Sequence, residues 1–289
     1  MEKHVPAYQP PKELGPQIID FGLVRDGQQV ASARLEQLMV ANGVRWIKIE
    51  GQLHAVLFLP NTSEPRPGVL VLGGSEGGRP QGKAAWLASR GYVALALAYF
   101  RFEDLPPRLE GIPLEYFGQA LAWLTQRPEV QPDRIAVMGT SRGGELALQL
   151  GSMYTNIRTV VAYVAANVRF PACCGNTRVP YAWTWQGRPL PYVLPRFLRN
   201  RVAMTQAAIP VEQTRGPVLL ISGIDDGVWP SEMMAEAVVA RLKLSHFPCP
   251  VEHLKYAHAG HRAGRKSCPP GTARFATPPR EEKRTWAGT

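Results

Sequence analysis

The sequence predicts an α/β fold, in which a mainly parallel β-sheet carries helices on its faces. Short apolar runs alternate with segments of helical periodicity over most of residues 61–261, which indicates right-handed strand–helix–strand crossovers. One apolar run ends in a Gly-x-Ser-x-Gly turn at residues 139–143, and two later runs end in loops that carry Asp and His side chains. A chain of 289 residues can bury one large core of this kind, with or without extensions.

Residues 1–60 are predicted to be an N-terminal extension of β structure. Residues 1–16 have an irregular, Pro-rich pattern, and residues 31–40 fit a short helix or a strand equally well. Residues 44–49 and 53–59 are apolar runs on either side of a Glu-Gly pair, a pattern typical of a β-hairpin.

Residues 61–261 are predicted to form the main α/β domain. Its predicted elements follow one another as strand 68–72, helix 84–90, strand 92–97, helix 113–127, strand 135–138, helix 143–153, strand 159–164, strand 218–222, helix 231–242 and strand 251–256. Residues 165–216 interrupt this order with a long segment rich in Pro, Arg and aromatic side chains. Two interpretations of this segment stay open, a lid or pocket over a site and an insertion without a role there.

The turn at residues 139–143 is predicted to be a nucleophile elbow, with Ser141 as the nucleophile. An apolar run precedes it as a strand, and apolar residues follow it at helical spacing. Such a turn holds the serine in a strained conformation above the sheet, and the small residues two before and two after it let strand and helix approach closely. The helix N-terminus beneath favours developing negative charge. The alternative is a glycine-rich turn with an incidental serine.

A serine nucleophile needs a base and an orienting carboxylate, and later loops supply both. Where this elbow occurs, the order along the chain is Ser, then Asp or Glu, then His. Asp226 follows a predicted strand and is favoured as the acid over its neighbour Asp225, which would otherwise cap the next helix. His261 lies in a loop after the last predicted strand and is favoured as the base, with His258 as its competitor.

Two backbone N–H groups are needed to hold the oxyanion of an acyl-transfer intermediate. One is predicted to be the amide of Arg142, directly after the nucleophile. The other is expected from the glycine loop at residues 73–78, from Gly74 or Ser75. This loop lacks both the Gly-Lys-Ser/Thr ending of a phosphate loop and the spacing of a dinucleotide fingerprint, so no cofactor is expected.

The formal charge of +10 does not by itself predict a nucleic-acid-binding protein. About half of it falls after His261, where residues 262–289 are basic, Pro-rich and aperiodic and are predicted to be a disordered tail. The remaining charge is spread without a basic stripe and can favour an anionic small-molecule substrate.

Other patterns narrow the kinds of site and location. None of the 4 cysteines forms a Cys-x-x-Cys pair, so no metal site or disulfide framework is predicted and free thiols are expected. The N-terminus has no apolar stretch typical of a signal peptide, and no run approaches membrane-spanning length. The expected location is the cytoplasm, and the oligomeric state stays open.

Six segments, at residues 96–106, 113–117, 127–130, 139–146, 223–229 and 256–261, follow a family order. They resemble the acyl-CoA thioesterase / bile acid-CoA:amino acid N-acyltransferase family of the α/β-hydrolase superfamily. The Tyr-Phe-x-x-Glu-Asp-Leu-Pro sequence at residues 99–106 is far more specific than the elbow. The resemblance implies an α/β-hydrolase fold and a catalytic triad of Ser141, Asp226 and His261.

The resemblance also implies an acyl-CoA substrate and a covalent acyl-enzyme. Members that conjugate acyl groups to amino acids carry cysteine at the nucleophile position, so Ser141 favours hydrolysis. Members also have a longer N-terminal β-sandwich, of which residues 1–60 would be a remnant, and a closing helix that residues 262–289 do not match. Two alternatives stay open: an esterase of the carboxylesterase or dienelactone-hydrolase kind without CoA preference, and a catalytically inactive module.

Overall fold

The structure, a computed structural model, describes residues 14–38, 40–49 and 51–263. The strands are β1 (Gln17–Arg25), β2 (Gln28–Gln37), β3 (Arg45–Ile49), β4 (Ala55–Leu59), β5 (Arg66–Leu72), β6 (Val93–Leu97), β7 (Ile112–Pro113), β8 (Val130–Thr140), β9 (Ile157–Tyr163), β10 (Trp183–Trp185), β11 (Arg188–Pro189), β12 (Val218–Gly223) and β13 (Val251–Tyr256). The helices are α1 (Gln81–Ala88), α2 (Glu115–Thr125), α3 (Arg142–Met153), α4 (Arg201–Ala207) and α5 (Ser231–Leu244). The tail predicted at residues 262–289 lies, from residue 264 onward, outside the described residues.

An eight-stranded sheet forms the centre of the fold, in the order β13-β12-β9-β8-β5-β6-β4-β3. The six strands from β13 to β6 are parallel, while β4 runs antiparallel to β6 and β3 antiparallel to β4. The predicted α/β fold is therefore confirmed. Because the parallel strands all end at the same edge, the loops that follow β5, β8, β12 and β13 lie close together there.

Helices cover both faces of this sheet, so its central strands are buried on both sides. Every residue of β4 and β6 is buried, which explains their continuous apolar runs. Successive side chains of β5 belong to opposite clusters. Leu70 and Leu72 pack in the cluster that contains α2 and α3, whereas Val69 and Val71 pack in the one that contains α1.

The segment before residue 60 divides between two sheets. The predicted hairpin at residues 44–59 is present, and its strands β3 and β4 are part of the central sheet. Residues 31–40, for which helix and strand were equally compatible, fall largely in strand β2, which pairs with β1 in a separate two-stranded sheet. The domain boundaries at residues 60 and 261 stay a prediction.

Residues 165–216 contain short elements with a small core of their own. Strand β10 pairs with β11 and with β7, and α4 closes the segment. A third apolar cluster joins the side chains of Val168, Phe170, Val193 and Ala207 to Met234 of α5. None of the helices in the described part of the chain combines the length and the apolar character that crossing a membrane requires.

Candidate active site

Ser141 occupies a sharp turn between β8 and α3, at the carboxyl edge of the sheet. Its φ of 58° and ψ of −121° lie outside the regions that L residues ordinarily adopt. The space around the turn is minimal, because a Cβ on Gly139 would lie 1.8 Å from the carbonyl oxygen of Gly143, and one on Gly143 would lie 2.1 Å from that of Gly73. The strained turn with close-packed glycines matches the geometry of a nucleophile elbow.

The hydroxyl of Ser141 lies next to the imidazole of His261, from the loop after β13. Ser141 Oγ and His261 Nε2 are 2.8 Å apart. On the other side of the ring, Nδ1 lies 2.8 Å from Oδ2 and 3.0 Å from Oδ1 of Asp226, from the loop after β12. The structure therefore brings the three residues favoured from the sequence into one hydrogen-bonded chain.

The carboxylate of Asp226 is held in its ionised form by the donors around it. Its side chain is 1 % exposed, and Oδ1 accepts hydrogen bonds from the backbone amides of Val228 at 3.0 Å and Trp229 at 3.3 Å. Burial alone would raise the pKa of Asp226, but the hydrogen bonds from His261 and the Val228 amide outweigh it and hold the pKa below its usual value.

The two competing residues lie outside this chain of hydrogen bonds. Asp225 and His258 face one another, with 3.7 Å between the Asp225 Oδ2 and His258 Nδ1 atoms. Their side chains are 64 % and 95 % exposed. A solvated pair of this kind can stabilise a loop only weakly.

The glycine loop after β5 lies beside the nucleophile. A Cβ on Gly74 would come within 3.2 Å of the Ser141 Cβ, and Ser75 lines the same cavity as Ser141. The hydroxyl of Tyr99, at the end of β6, donates a 2.7 Å hydrogen bond to the carbonyl oxygen of Gly73 and so fixes the loop from below. Gly74, Ser75 and Arg142 therefore lie around Ser141, and their amides stay the predicted oxyanion donors.

A cavity of about 1260 Å³ opens above Ser141 and His261. The segment 165–216 supplies much of its wall, including Phe170, Leu198 and two adjacent cysteines, and the loop before α5 supplies Val228 and Trp229. The exposed side chains of Arg196 and Arg199 stand at its rim. Of the two interpretations left open for this segment, the structure agrees with the one that makes it part of the site.

Trp229 is a site residue that the sequence reasoning did not single out. Its ring packs edge-on against the His261 imidazole, with 4.7 Å between the ring centroids. Its indole N–H donates a 3.0 Å hydrogen bond to the carbonyl oxygen of Val164. Trp229 therefore fixes the ring plane of His261, and the signals that could have pointed to it are its place three residues after Asp226 and at the end of the resembling segment 223–229.

A buried ionic network behind the elbow was also missed. The side chain of Glu145 is fully buried and accepts a 2.7 Å hydrogen bond from the Trp183 indole N–H. Its second oxygen lies 3.1 Å from Nε of Arg142, whose guanidinium donates to the carbonyl oxygens of Phe170 at 3.1 Å and Pro171 at 2.8 Å. Burial raises the pKa of Glu145, although Arg142 and Trp183 act in the opposite direction. The network ties the cavity wall to the nucleophile helix.

One cluster in the described chain has side chains suitable for a metal ion. His54, Glu103 and Asp104 each offer a ligand atom within 4.8 Å of the others. However, the two ring nitrogens of His54 face different carboxylates, at 3.0 Å from Glu103 and 3.1 Å from Asp104. Since a metal binds a single imidazole nitrogen, this geometry is that of a histidine, just before β4, which contacts two carboxylates of the loop after β6.

Comparisons with known proteins show which family the chain resembles. The family model "BAAT / Acyl-CoA thioester hydrolase C terminal" matches residues 112–184 and 190–277. Acyl-coenzyme A thioesterase 6 of Mus musculus is 33 % identical over 251 residues, which is 81 % of this chain and 58 % of the relative. The peroxisomal succinyl-coenzyme A thioesterase of the same species is 31 % identical over the same shares. The chain thus spans less than two thirds of the length of these relatives.

Solved structures carry the same fold. An α/β hydrolase enzyme from a Medee basin deep-sea metagenome library superposes with a TM-score of 0.50 at 20 % sequence identity, over 76 % of this chain and 85 % of that one. At this identity the likeness concerns the fold alone, and it confirms the predicted α/β-hydrolase architecture.

Proposed function

The chain belongs to the BAAT / acyl-CoA thioester hydrolase C-terminal family, and from this we propose that it hydrolyses acyl-CoA thioesters through an acyl-enzyme on Ser141. The observation that carries the proposal is the hydrogen-bonded chain from Ser141 Oγ through His261 to Asp226, opening into one cavity. An elbow serine, a histidine and a buried carboxylate in this order are the machinery of acyl transfer.

In the acylation step, Ser141 Oγ attacks the thioester carbonyl carbon while His261 Nε2 takes the hydroxyl proton. Asp226 holds the opposite ring nitrogen protonated and stabilises the imidazolium that forms. The negative charge moves to the carbonyl oxygen, where the amides of Arg142 and of Gly74 or Ser75 are the proposed donors. The carbon–sulfur bond then breaks, and His261 gives its proton to the CoA sulfur.

In the deacylation step, a water molecule takes the place of the departed thiol. His261 accepts a proton from this water as its oxygen attacks the acyl-serine carbonyl carbon. The same amides hold the second oxyanion, which collapses to a free carboxylic acid as Ser141 recovers its proton from His261. Water suffices as the acceptor, so the cycle closes without a cofactor.

The lining of the cavity favours a substrate with an apolar fatty acyl group over one with a charged acyl group. Its wall near the nucleophile is largely apolar, with Phe170, Leu198, Val228 and Trp229 among its side chains. Each methylene buried there contributes about 0.8 kcal/mol to binding. One relative is named a succinyl-coenzyme A thioesterase and another is named without a particular acyl group, so the proposed preference for an apolar chain rests on the cavity and not on the family.

The test measures how fast the purified chain releases thiol from a panel of acyl-CoA thioesters. These rates are compared with its rates of hydrolysis of p-nitrophenyl esters of the same acyl chain lengths. Ser141→Ala should lower thioester turnover by at least about 10³-fold, because the nucleophile is lost. The matched control is Ser245→Ala, an exposed serine after α5, which should leave turnover unchanged.

The other outcomes point to the alternatives. Near-full turnover by Ser141→Ala would overturn the proposal. Esters hydrolysed with no preference for acyl-CoA would favour a general esterase. A folded protein whose Ser141 does not react with a fluorophosphonate probe would favour an inactive module.

A further inference from the structure

Cys173 and Cys174 have no role in the reaction derived above, although both line the cavity that contains Ser141 and His261. Both are free and partly exposed, and each thiol shifts the pKa of the other. Two adjacent thiols facing one substrate cavity form a chemical group of their own, distinct from the hydrolytic residues.

The backbone around the two cysteines is fixed from both sides. The amide of Cys173 donates to the carbonyl oxygen of Leu109 at 3.1 Å, in an isolated antiparallel bridge. The carbonyl oxygen of Cys174 accepts a 3.1 Å hydrogen bond from Arg101. Cys174 has a φ of 78°, a left-handed conformation that non-glycine residues rarely adopt. The fold therefore holds this loop in a strained conformation.

The surroundings make the two thiols unequal. The neighbouring Cys173 thiol lowers the pKa of Cys174, and the positive charges of Arg142 and Arg101 act in the same direction. The neighbouring Cys174 thiol, together with burial, raises the pKa of Cys173. A partly exposed thiol of lowered pKa beside a second thiol is the usual arrangement of a peroxide-sensitive cysteine and its resolving partner.

We propose that Cys173 and Cys174 are a dithiol modification site in the wall of the active-site cavity, which hydrogen peroxide converts reversibly to a disulfide and so switches acyl turnover off. The modification does not depend on the proposed hydrolase function, whereas its effect on turnover rests on that function.

The chemistry balances in two steps. The Cys174 thiolate attacks one peroxide oxygen, the O–O bond breaks, and a sulfenic acid and hydroxide form. The Cys173 sulfur then attacks the sulfenic sulfur, a sulfur–sulfur bond forms, and water leaves. In total, two thiols lose two electrons and two protons, and one peroxide becomes two waters.

The disulfide between Cys173 and Cys174 is expected to be reduced easily. Neighbouring Cα atoms stand about 3.8 Å apart across a trans peptide, less than the roughly 4.4 Å at which unstrained disulfides begin. A strained disulfide is reopened readily by dithiols. These properties suit a switch and not a structural crosslink.

The disulfide has a route to the nucleophile. Pro171 and Phe170, two and three residues before Cys173, accept the hydrogen bonds of the Arg142 side chain. The Arg142 amide is the proposed oxyanion donor. Closing the ring at Cys173 and Cys174 strains this backbone and narrows the cavity, so both the donor position and substrate entry change.

The experiment treats the whole protein with a small excess of hydrogen peroxide and then digests it with trypsin. The peptide of residues 170–178 contains both cysteines and no other. After peroxide treatment we expect the mass of this peptide to fall by that of two hydrogen atoms and its cysteines to resist alkylation. Acyl turnover should fall at least about fivefold. Dithiothreitol should restore the peptide mass, the alkylation and the turnover together. Cys174→Ser should abolish the disulfide, and Cys173→Ser should trap a sulfenic acid that dimedone labels. The control Cys249→Ser should behave as the wild type.

Two results would overturn the proposal. The first is a peptide 170–178 that stays fully alkylatable while Cys249 oxidises. The second is unchanged turnover by protein in which the disulfide has formed. The mass measurement is repeated on Ser141→Ala, so a failure of the hydrolase proposal is visible separately from a failure of the dithiol site.

Discussion

Ser141 keeps its unusual backbone conformation because its neighbours leave no alternative. Its amide donates a 2.8 Å hydrogen bond to the carbonyl oxygen of Tyr163 on β9, and its own carbonyl accepts from the amides of Gly144 and Glu145. A non-glycine residue in such a region costs on the order of 1–3 kcal/mol. These bonds offset that cost, and the hydroxyl is held in place before any substrate arrives.

At the residue scale, Asp226→Asn should lower kcat about 10⁴-fold. An amide at this position can donate to Nδ1 and so favours the tautomer of His261 that cannot accept the Ser141 proton. The measurement is kcat on a preferred acyl-CoA, with Asp225→Asn as the matched control. A loss of equal size in Asp225→Asn would contradict the assignment of the acid.

The lowered pKa of Asp226 also predicts how the free energy of unfolding depends on pH. Because the pKa of Asp226 is lowered on folding, the unfolded chain binds more protons between the two pKa values. The contribution of this group is fully present above about pH 4, the ordinary value of an unfolded Asp, and is lost as the pH falls through the lowered pKa. Urea unfolding of wild type and Asp226→Asn should therefore differ at neutral pH and converge in acid. A constant difference would contradict this.

Ser141, Asp226 and His261 could be found from the sequence because each stands in a short, recognisable setting at a strand end. The roles of Trp229 and Glu145 could not be predicted. The contact of the Trp229 indole with the His261 ring and the hydrogen bond of Glu145 with Trp183 both depend on packing between distant segments. The adjacency of Cys173 and Cys174 was visible, but their position in the cavity was not.

At the element scale, the contact between β8, α3 and the loop after β5 tolerates no side chain. Gly139→Ala should destabilise the protein by roughly 4 kcal/mol or more, because its Cβ would overlap the backbone of Gly143. Gly82→Ala in α1 is the matched control, since its Cβ would come no closer than 4.0 Å to another side chain. It should raise stability by about 0.5–1 kcal/mol. Denaturant unfolding measures the free energy of unfolding of both variants. Similar changes in this free energy for the two variants would refute the packing argument.

The buried ionic network makes a second prediction at this scale. Glu145→Ala should cost about 3–5 kcal/mol, because it leaves the Arg142 guanidinium buried without its counter-charge. The double variant Arg142→Met with Glu145→Leu removes both charges and should recover most of that stability. Thermal unfolding of the single and double variants measures the coupling. Additive losses would show that the two charges are independent.

The regular elements were predictable because their periodicity is strong, and most boundaries fall within a few residues of those expected. Strand β8 is longer than predicted, beginning at Val130, because its first residues pair with β5 across a bulge. The short elements of residues 165–216 had no such pattern. Arg169 fixes this segment through the carbonyl oxygens of Pro191 and Gln206 and the side chain of Gln149, contacts between distant residues that no local sequence rule gives.

For the whole molecule, the surplus of positive charge should draw an anionic substrate toward the cavity. Arg196 and Arg199 line this cavity with exposed side chains, and under the proposed function they would attract the phosphates of CoA. We expect kcat/KM for acyl-CoA to fall several-fold as salt rises from about 0.02 to 0.3 M, because added ions screen these charges. Arg196→Ala with Arg199→Ala should raise KM and flatten this dependence, while turnover of an uncharged ester stays unchanged.

The control for this prediction is Arg215→Ala. Arg215 is exposed and precedes β12, at the opposite edge of the sheet from the cavity. If it alters the salt dependence as much as the rim pair does, the attraction comes from net charge and not from a phosphate subsite.

His261 stands 120 positions after Ser141 along the chain. The Ser141 hydroxyl and the His261 imidazole meet only once β9, β12 and β13 have all docked in their proper order, so a chain in which one of these strands is missing lacks the proposed catalytic pair. Under the proposed function, the fraction of molecules that a serine-directed probe labels at Ser141 therefore also measures the fraction that has folded completely.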